Sequence, residues 1–153
     1  MSGIVGSTGS RSGVIGETEL DYEKGTWTPY FQVSGSNISA SYAEQVGGYI
    51  KIGKLVHVNL TMTLSAESIS SGAMQVSLPF TQTSAFPAVV NVGRNTGFSD
   101  ADSPQAGYCG SGASVMNLLR GTSDGRSMLQ HAVGGDVLSS SSSVFIDITL
   151  TID

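Results

Sequence analysis

The stretch Val56-His57-Val58-Asn59-Leu60-Thr61-Met62-Thr63-Leu64 alternates apolar and polar residues without a break. Successive side chains point to opposite faces of a β-strand, whereas the side chains of an α-helix repeat every 3.6 residues. A period of two therefore predicts a strand with one buried face. The residues predicted to face the core are Val56, Val58, Leu60, Met62 and Leu64. The residues predicted to face away from it are His57, Asn59, Thr61 and Thr63.

Residues 144–152 form a second alternating stretch, in which every other residue is aliphatic. The predicted inward residues are Val144, Ile146, Ile148, Leu150 and Ile152. Since each stretch offers five apolar residues to one core, we predict that the two strands pair with each other. Burial of an apolar side chain stabilises a fold by roughly 1.5–3 kcal/mol, so these side chains would supply much of the driving force for folding. Phe145 is the apolar residue on the polar side, and we expect a neighbouring subunit to pack against it.

The rest of the chain has the pattern of short strands joined by turns, and no segment carries the apolar stripe of a helix. Trp27 to Val33 is a candidate first strand, in which Pro29 implies a sheet edge or a bend. The continuous apolar run from Ala88 to Val92 predicts a strand covered on both faces. The Gly-, Ser- and Asp-rich segment from Phe98 to Gly112 predicts a long loop. About eight such strands predict an all-β fold, an antiparallel jelly-roll-like β-sandwich.

The first part of the chain has a different composition and predicts an extended N-terminal arm. Residues 1–19 are rich in Gly and Ser and contain a near-repeat, Ser2-Gly3-Ile4-Val5-Gly6 and Ser12-Gly13-Val14-Ile15-Gly16. One interpretation is a flexible tail. The other, which we favour, is a docking arm whose Ile4, Val5, Val14 and Ile15 insert into a partner. The expected organisation is thus an arm over residues 1–19 and a β-sandwich domain over residues 20–153.

Composition and charge exclude several classes of function. Charged residues make up 12% of the chain, against about 25% in typical globular proteins. The composition suits either an ordinary Ser/Thr-rich β domain or a surface partly buried by neighbouring subunits, because hydroxyls cost less to desolvate than charges do. The net charge of −5 argues against nucleic-acid binding, and no apolar run is long enough to predict membrane insertion. Cys109 is the single cysteine, and we expect it to be a buried structural thiol.

No catalytic or metal-binding motif is present. His57 and His131 have no second ligand at metal-site spacing, and the acidic residues do not form the pair that sugar cleavage needs. The loop containing Asp100 and Asp102 could hold a cation or could be an ordinary solvated turn, and we favour the turn. The sequence therefore predicts a protein that is not an enzyme and has neither a cofactor nor a resident metal.

Aromatic residues are concentrated in the first third of the chain, and three interpretations remain open for them. They can be core and strand-edge residues, they can join subunits, or they can form a platform for sugars. If subunits associate, the candidate interface residues are Tyr30, Tyr49, His57 and Phe145. If a host glycan binds, the candidate contact is Tyr108, in the predicted loop.

Three blocks of sequence carry a resemblance to a known family. They are Tyr22-Glu23-Lys24-Gly25-Thr26-Trp27-Thr28-Pro29, Gly48-Tyr49-Ile50-Lys51-Ile52-Gly53-Lys54-Leu55-Val56 and Leu78-Pro79-Phe80. Together they cover roughly residues 20–80, and they resemble small β-sandwich domains of tailed-phage virion proteins, often described as tail fibres. The resemblance implies a virion structural protein, made in the cytoplasm of the bacterial host, that forms a homotrimer and contacts other virion proteins.

Two positions on the virion fit this resemblance. The first, which we favour from the sequence, is a capsid decoration or cement protein anchored by its N-terminal arm, since the chain has no shaft-like repeat. The second is the receptor-binding tip of a tail or head fibre that contacts host glycans.

Overall fold

The computed structural model describes residues 21–68, 72–98, 103–122, 125–128, 130–131 and 141–153. Within these ranges the chain is all-β and contains no helix. The twelve strands in the described ranges are β1 (Tyr22–Trp27), β2 (Phe31–Val33), β3 (Ser36–Asn37), β4 (Ser39–Ile52), β5 (Leu55–Ser68), β6 (Gly72–Ser77), β7 (Ala88–Thr96), β8 (Ala106–Cys109), β9 (Val115–Thr122), β10 (Gly125–Met128), β11 (Gln130–His131) and β12 (Ser143–Thr151).

The strands form one curled antiparallel sheet in the order β1-β4-β5-β12-β7-β8-β9-β6-β2-β3, with β10 beside β9 and β11 beside β6. The curl brings strands that are distant in this order into contact across the core. Phe31 of β2 stacks on Tyr42 of β4 with the ring centroids 6.4 Å apart, and the Phe31 N–H donates a 2.9 Å hydrogen bond to Tyr42 Oη. The predicted antiparallel, jelly-roll-like β-sandwich is confirmed.

The two alternating stretches pair with each other, as predicted. β5 and β12 are antiparallel neighbours, with Val58 opposite Ile148 and Leu60 opposite Ile146. The inward residues of both strands are buried, except that Ile152 packs only partly against the core. The buried apolar residues of the described chain are Phe31, Val33, Val56, Val58, Leu60, Met62, Leu64, Met74, Val76, Leu78, Ala88, Val90, Cys109, Met116, Leu118, Val144, Ile146, Ile148 and Leu150.

The β4–β5 hairpin fixes which side chains face outward. Ile52 and Leu55 are paired, so Gly53 and Lys54 form a two-residue turn. Gly53 has a φ of +57°, a conformation that hairpin turns of this length need and that glycine adopts without strain. Because the turn holds the register, the outward residues of β5 determine the outward residues of β4.

Three details of the predicted pattern are wrong. The segment from Trp27 to Val33 is two strands, because the chain leaves β1 before Pro29 and enters β2 at Phe31. The run from Ala88 to Val92 is covered on one face only, since Val89 is 69% exposed. The predicted loop from Phe98 to Gly112 contains β8, whose four residues are too few for a recognisable alternation.

The predicted docking arm, with Ile4, Val5, Val14 and Ile15, lies outside the described residues. So do Asp100 and Asp102. In the described part of the chain, no helix is both long and apolar enough to cross a bilayer.

Candidate interaction face

Most of the exposed apolar side chains lie on one side of the sheet. We call the outward side of β1, β4, β5, β12, β7 and β8 the outer face. Over the part of the chain that the structure describes, nine large apolar side chains are exposed, and eight of them project from the outer face. These eight are Tyr22, Val46, Ile50, Ile52, Leu55, Val89, Tyr108 and Phe145. Single exposed apolar residues are normal on a protein surface, but a cluster of this kind marks an interaction site.

The strand register places these side chains in rows across the sheet. Val46 on β4 and Phe145 on β12 both lie opposite Thr61 of β5. Ile52 likewise lies between Tyr22 and Leu55. Directly opposed residues on neighbouring strands have Cβ atoms about 4.5–5.5 Å apart, so each row is a continuous strip of surface.

Two grooves cross the outer face and adjoin at Asn59. One has a volume of about 340 Å³ and lies between Val46 and Phe145. The other, of about 410 Å³, lies between Lys24 and Ile50. Glycines line both grooves, Gly93 the first and Gly48 the second. A glycine has no side chain, so the space above each of these glycines stays open. The grooves are this open space, and the projecting apolar residues stand beside it.

Two contacts fix polar groups of β7 and β12 on the outer face. Asn91 Nδ2 donates a 3.1 Å hydrogen bond to Asp147 Oδ2. The Arg94 guanidinium lies 5.3 Å from the centroid of the Phe145 ring, within the range of a cation–π contact. These contacts hold the charged groups of β7 and β12 close to the sheet.

The charges on the outer face cancel. The register places two basic side chains, Lys24 and Arg94, and two acidic ones, Glu44 and Asp147, on this side, so that +2 and −2 sum to zero. His57 also lies here, with Nδ1 3.2 Å from Thr149 Oγ1. The whole chain, in contrast, has a net charge of −5.

The structure places the four candidate interface residues in different surroundings. His57 and Phe145 both lie on the outer face. Tyr49 points to the opposite side of β4, where its ring meets Phe80 edge-on with the centroids 4.9 Å apart. Tyr30 lies in the segment between β1 and β2. The strand register thus assigns two of the four, His57 and Phe145, to the outer face.

The candidate glycan contact, Tyr108, lies on β8 and not in a loop. It is opposite Val89 of β7, so it belongs to the outer face. Its side chain is 38% exposed.

Sequence reasoning missed Val46 and Ile50. Both lie on β4, whose sequence does not alternate, and no pattern in β4 itself identifies its outward residues. The signal that could have found them is the two-residue turn at Gly53 and Lys54. Counted back from that turn, Ile50 pairs with the polar-face residue His57 and must therefore point outward.

Two ionisable groups away from the outer face, Lys51 and Cys109, have raised pKa values. Lys51 Nζ lies 2.7 Å from Asp21 Oδ2, and the pKa of Lys51 is raised chiefly by this hydrogen bond. Burial raises the pKa of the Cys109 thiol to about 11. Among the described residues, no three His, Cys, Asp or Glu side chains lie close enough together to hold a metal ion.

Comparison with known proteins yields a structural likeness. No family model matches the chain, and neither does any curated protein. The crystal structure of the Dettilon tailspike protein matches with a TM-score of 0.69 and 16% sequence identity, over 86% of this chain and 24% of that protein. The chain thus shares its fold with a part of a tailspike and spans about a quarter of that protein's length.

Proposed function

We propose that this chain is a non-enzymatic structural domain of a tailed-phage virion, assembled as a homotrimer within a tail spike or tail fibre. The observation that carries the proposal is the cluster of eight exposed apolar side chains on the outer face. Assembly would remove these side chains from water, at a gain of roughly 25 cal/mol per Å² of apolar surface buried. A domain that works alone has no need of such a surface.

Two further observations support a place in the virion. The blocks at residues 22–29, 48–56 and 78–80 resemble phage virion domains, and the fold is that of a part of a tailspike. The likeness to a tailspike favours the tail over the capsid decoration expected from the sequence. A low content of charged residues, 12%, also suits a protein whose surface is buried in an assembly.

Electron microscopy of the phage with antibody raised against this chain tests the proposal. We expect label on the tail. Label confined to the capsid shell would contradict placement in the tail and would favour decoration. Particles that carry no label, although the antibody binds the purified chain, would contradict the virion assignment itself.

A second candidate function is recognition of a host glycan at the tip of a fibre. Tyr108 favours it, since its ring is exposed beside Val89, and aromatic rings are common platforms for sugars. Binding on a glycan array that is lost in Tyr108→Ala would support this function. An array without binding by the assembled protein would count against it.

A further inference from the structure

We propose that the partner that covers the outer face is a second copy of this chain. The proposal deepens the proposed function, because it names the contact surface on which the assembly would be built.

Charge is the first argument for a second copy. Two copies of a chain with a net charge of −5 repel each other at most surfaces. The outer face is an exception, because Lys24 and Arg94 balance Glu44 and Asp147. A strongly basic partner would gain nothing from this neutral face and would bind more favourably elsewhere on an acidic protein. The outer face of another copy, which is also neutral, can pack against this face without net charge repulsion.

Shape is the second argument. The outer face carries both projecting apolar side chains, such as Val46 and Ile50, and grooves beside them, of about 340 and 410 Å³. A surface with both features is able to complement a copy of itself, because the projections of one copy can enter the grooves of the other. In a trimer each subunit presents two different, complementary patches to its two neighbours, and the projections and grooves of the outer face supply such a pair.

The other end of the sheet, formed by β9, β6, β2 and β3, has a polar surface. This difference indicates that the contact between copies lies on the outer face. Amide side chains there bond to one another: Gln75 Nε2 donates to Asn117 Oδ1 at 2.8 Å, and Gln32 Nε2 donates to Asn37 Oδ1 at 2.9 Å. None of the nine exposed large apolar residues found in the described ranges lies on β9, β6, β2 or β3. The apolar surface is thus confined to the half of the sheet that contains β4, β5 and β12.

The test is the oligomeric state of the full chain and of the double variant Val46→Lys/Ile50→Lys, measured by sedimentation velocity. Val46 is 57% and Ile50 45% exposed, so lysines at these positions do not enter the core. We expect the unaltered chain to sediment as an oligomer. A charge forced into an apolar contact weakens it strongly, so the double variant should associate about a hundredfold more weakly or worse.

Phe86→Lys is the matched control. Phe86 is the ninth exposed apolar residue and, at 78%, the most exposed of them, but it lies between β6 and β7 and outside the outer face. The Phe86→Lys variant should form the same oligomer as the unaltered chain. Equal melting temperatures of the three proteins, extrapolated to low concentration, would show that the lysines act on association and not on folding.

Three results would overturn the proposal. The unaltered chain could remain monomeric at about 100 µM, which excludes all but very weak association. The double variant could associate as tightly as the unaltered chain. Deletion of residues 2–16 could dissociate the oligomer while the double variant does not, which would make the N-terminal arm the contact. An oligomer that forms as proposed but is absent from the virion would contradict the proposed function only.

Discussion

The indole ring of Trp27 lies over Gly47, its partner on the neighbouring strand. A Cβ atom added to Gly47 would collide with the ring at Nε1 and Cε2. The next inward pair has the reverse arrangement: Tyr49 of β4 covers Gly25 of β1, and a Cβ on Gly25 would lie within 2.7 Å of three atoms of the Tyr49 side chain. Each strand thus contributes one glycine and one aromatic residue, a pairing that stabilises glycines near a sheet edge. Gly25, Trp27 and Tyr49, which belong to the blocks that resemble phage domains, therefore have a structural role at this edge.

Gly47→Ala should destabilise the protein by about 1–3 kcal/mol, because the indole must move to make room for a methyl group. Urea unfolding followed by fluorescence of Trp27, the single tryptophan, would measure both the stability and the displacement of the ring. Gly110→Ala is the control, since a Cβ there meets no heavy atom within 4 Å, and it should change the free energy of unfolding by less than about 0.5 kcal/mol. Equal unfolding midpoints for the two variants would contradict the packing described for Trp27.

Trp27→Phe should be tolerated far better than Trp27→Ala. Trp27 Nε1 is buried and has no hydrogen-bond partner in the described structure, so phenylalanine keeps a covering ring and removes an unpaired donor. We expect a loss of less than about 1 kcal/mol for Trp27→Phe and of about 3 kcal/mol for Trp27→Ala. Thermal unfolding monitored by circular dichroism would measure both. A loss for Trp27→Phe as large as that for Trp27→Ala would mean that the indole N–H, and not the cover given by the ring, stabilises the protein.

Gln82 connects the segment after β6 to the end of β12, and Gln82→Leu should remove this connection while the hydrogen bond from the Thr83 N–H to the Thr151 carbonyl remains. Gln82 is buried, its Oε1 accepts a 2.7 Å hydrogen bond from the Thr151 N–H, and its Nε2 donates a 3.0 Å bond to the Phe86 carbonyl. Leucine leaves both backbone groups without these partners, at a cost of about 1–3 kcal/mol for each group that stays buried. Faster amide exchange at Thr151, measured by NMR, would confirm the loss. The control Thr81→Ala, at an exposed neighbouring position, should leave this amide protected.

The fold could be predicted from the sequence where one face of a strand meets the core and the other meets only polar neighbours. This holds for Val56–Leu64 and for residues 144–150, whose strict alternation identified both strands and their pairing. It fails for β4, because outward Val46 and Ile50 are themselves apolar and erase the alternation. Strands with apolar residues on the outer face therefore lack the alternation by which a strand is recognised in the sequence.

The same reasoning explains the error at Ala88 to Val92. The continuous apolar run predicted cover on both faces, but in the single chain Val89 is exposed. A second copy docked on the outer face would supply the missing cover. Phe145 could be singled out from the sequence because it interrupts an otherwise polar face. Tyr49 can be assigned by the count back from the turn at Gly53 and Lys54, which pairs it with Val58 of the core face, so that it points away from Phe145.

Cys109 should be unreactive in the folded protein. Burial raises the pKa of its thiol from 9.0 to about 11, and only the thiolate reacts with disulfide reagents. At pH 8 a shift of this size lowers the thiolate fraction by about a hundredfold, and burial further restricts access to the sulfur. Ellman's reagent should therefore modify Cys109 at least a hundredfold more slowly in the native protein than in urea. Equal rates would show that the thiol is open to solvent.

Tyr42→Phe should lower stability at neutral pH and should also change how stability depends on pH. Removal of the hydroxyl takes away the acceptor of the Phe31 N–H, at a cost of about 1–2 kcal/mol, while the stacked ring remains.

In the native protein, burial raises the pKa of Tyr42 above its usual value of 10.0, and the hydrogen bond from Phe31 partly opposes this rise. The unfolded chain thus loses this proton first as the pH rises, so the contribution of Tyr42 to stability is complete below pH 10 and declines above it. Because Cys109 adds a similar decline above pH 9, the comparison needs Cys109→Ala in both proteins. In that background, urea unfolding should show a shallower loss of stability above pH 10 for Tyr42→Phe than for its parent. Parallel curves would mean that the Tyr42 hydroxyl ionises as readily in the folded chain as in the unfolded one, and that the contact between β2 and β4 leaves it exposed to water.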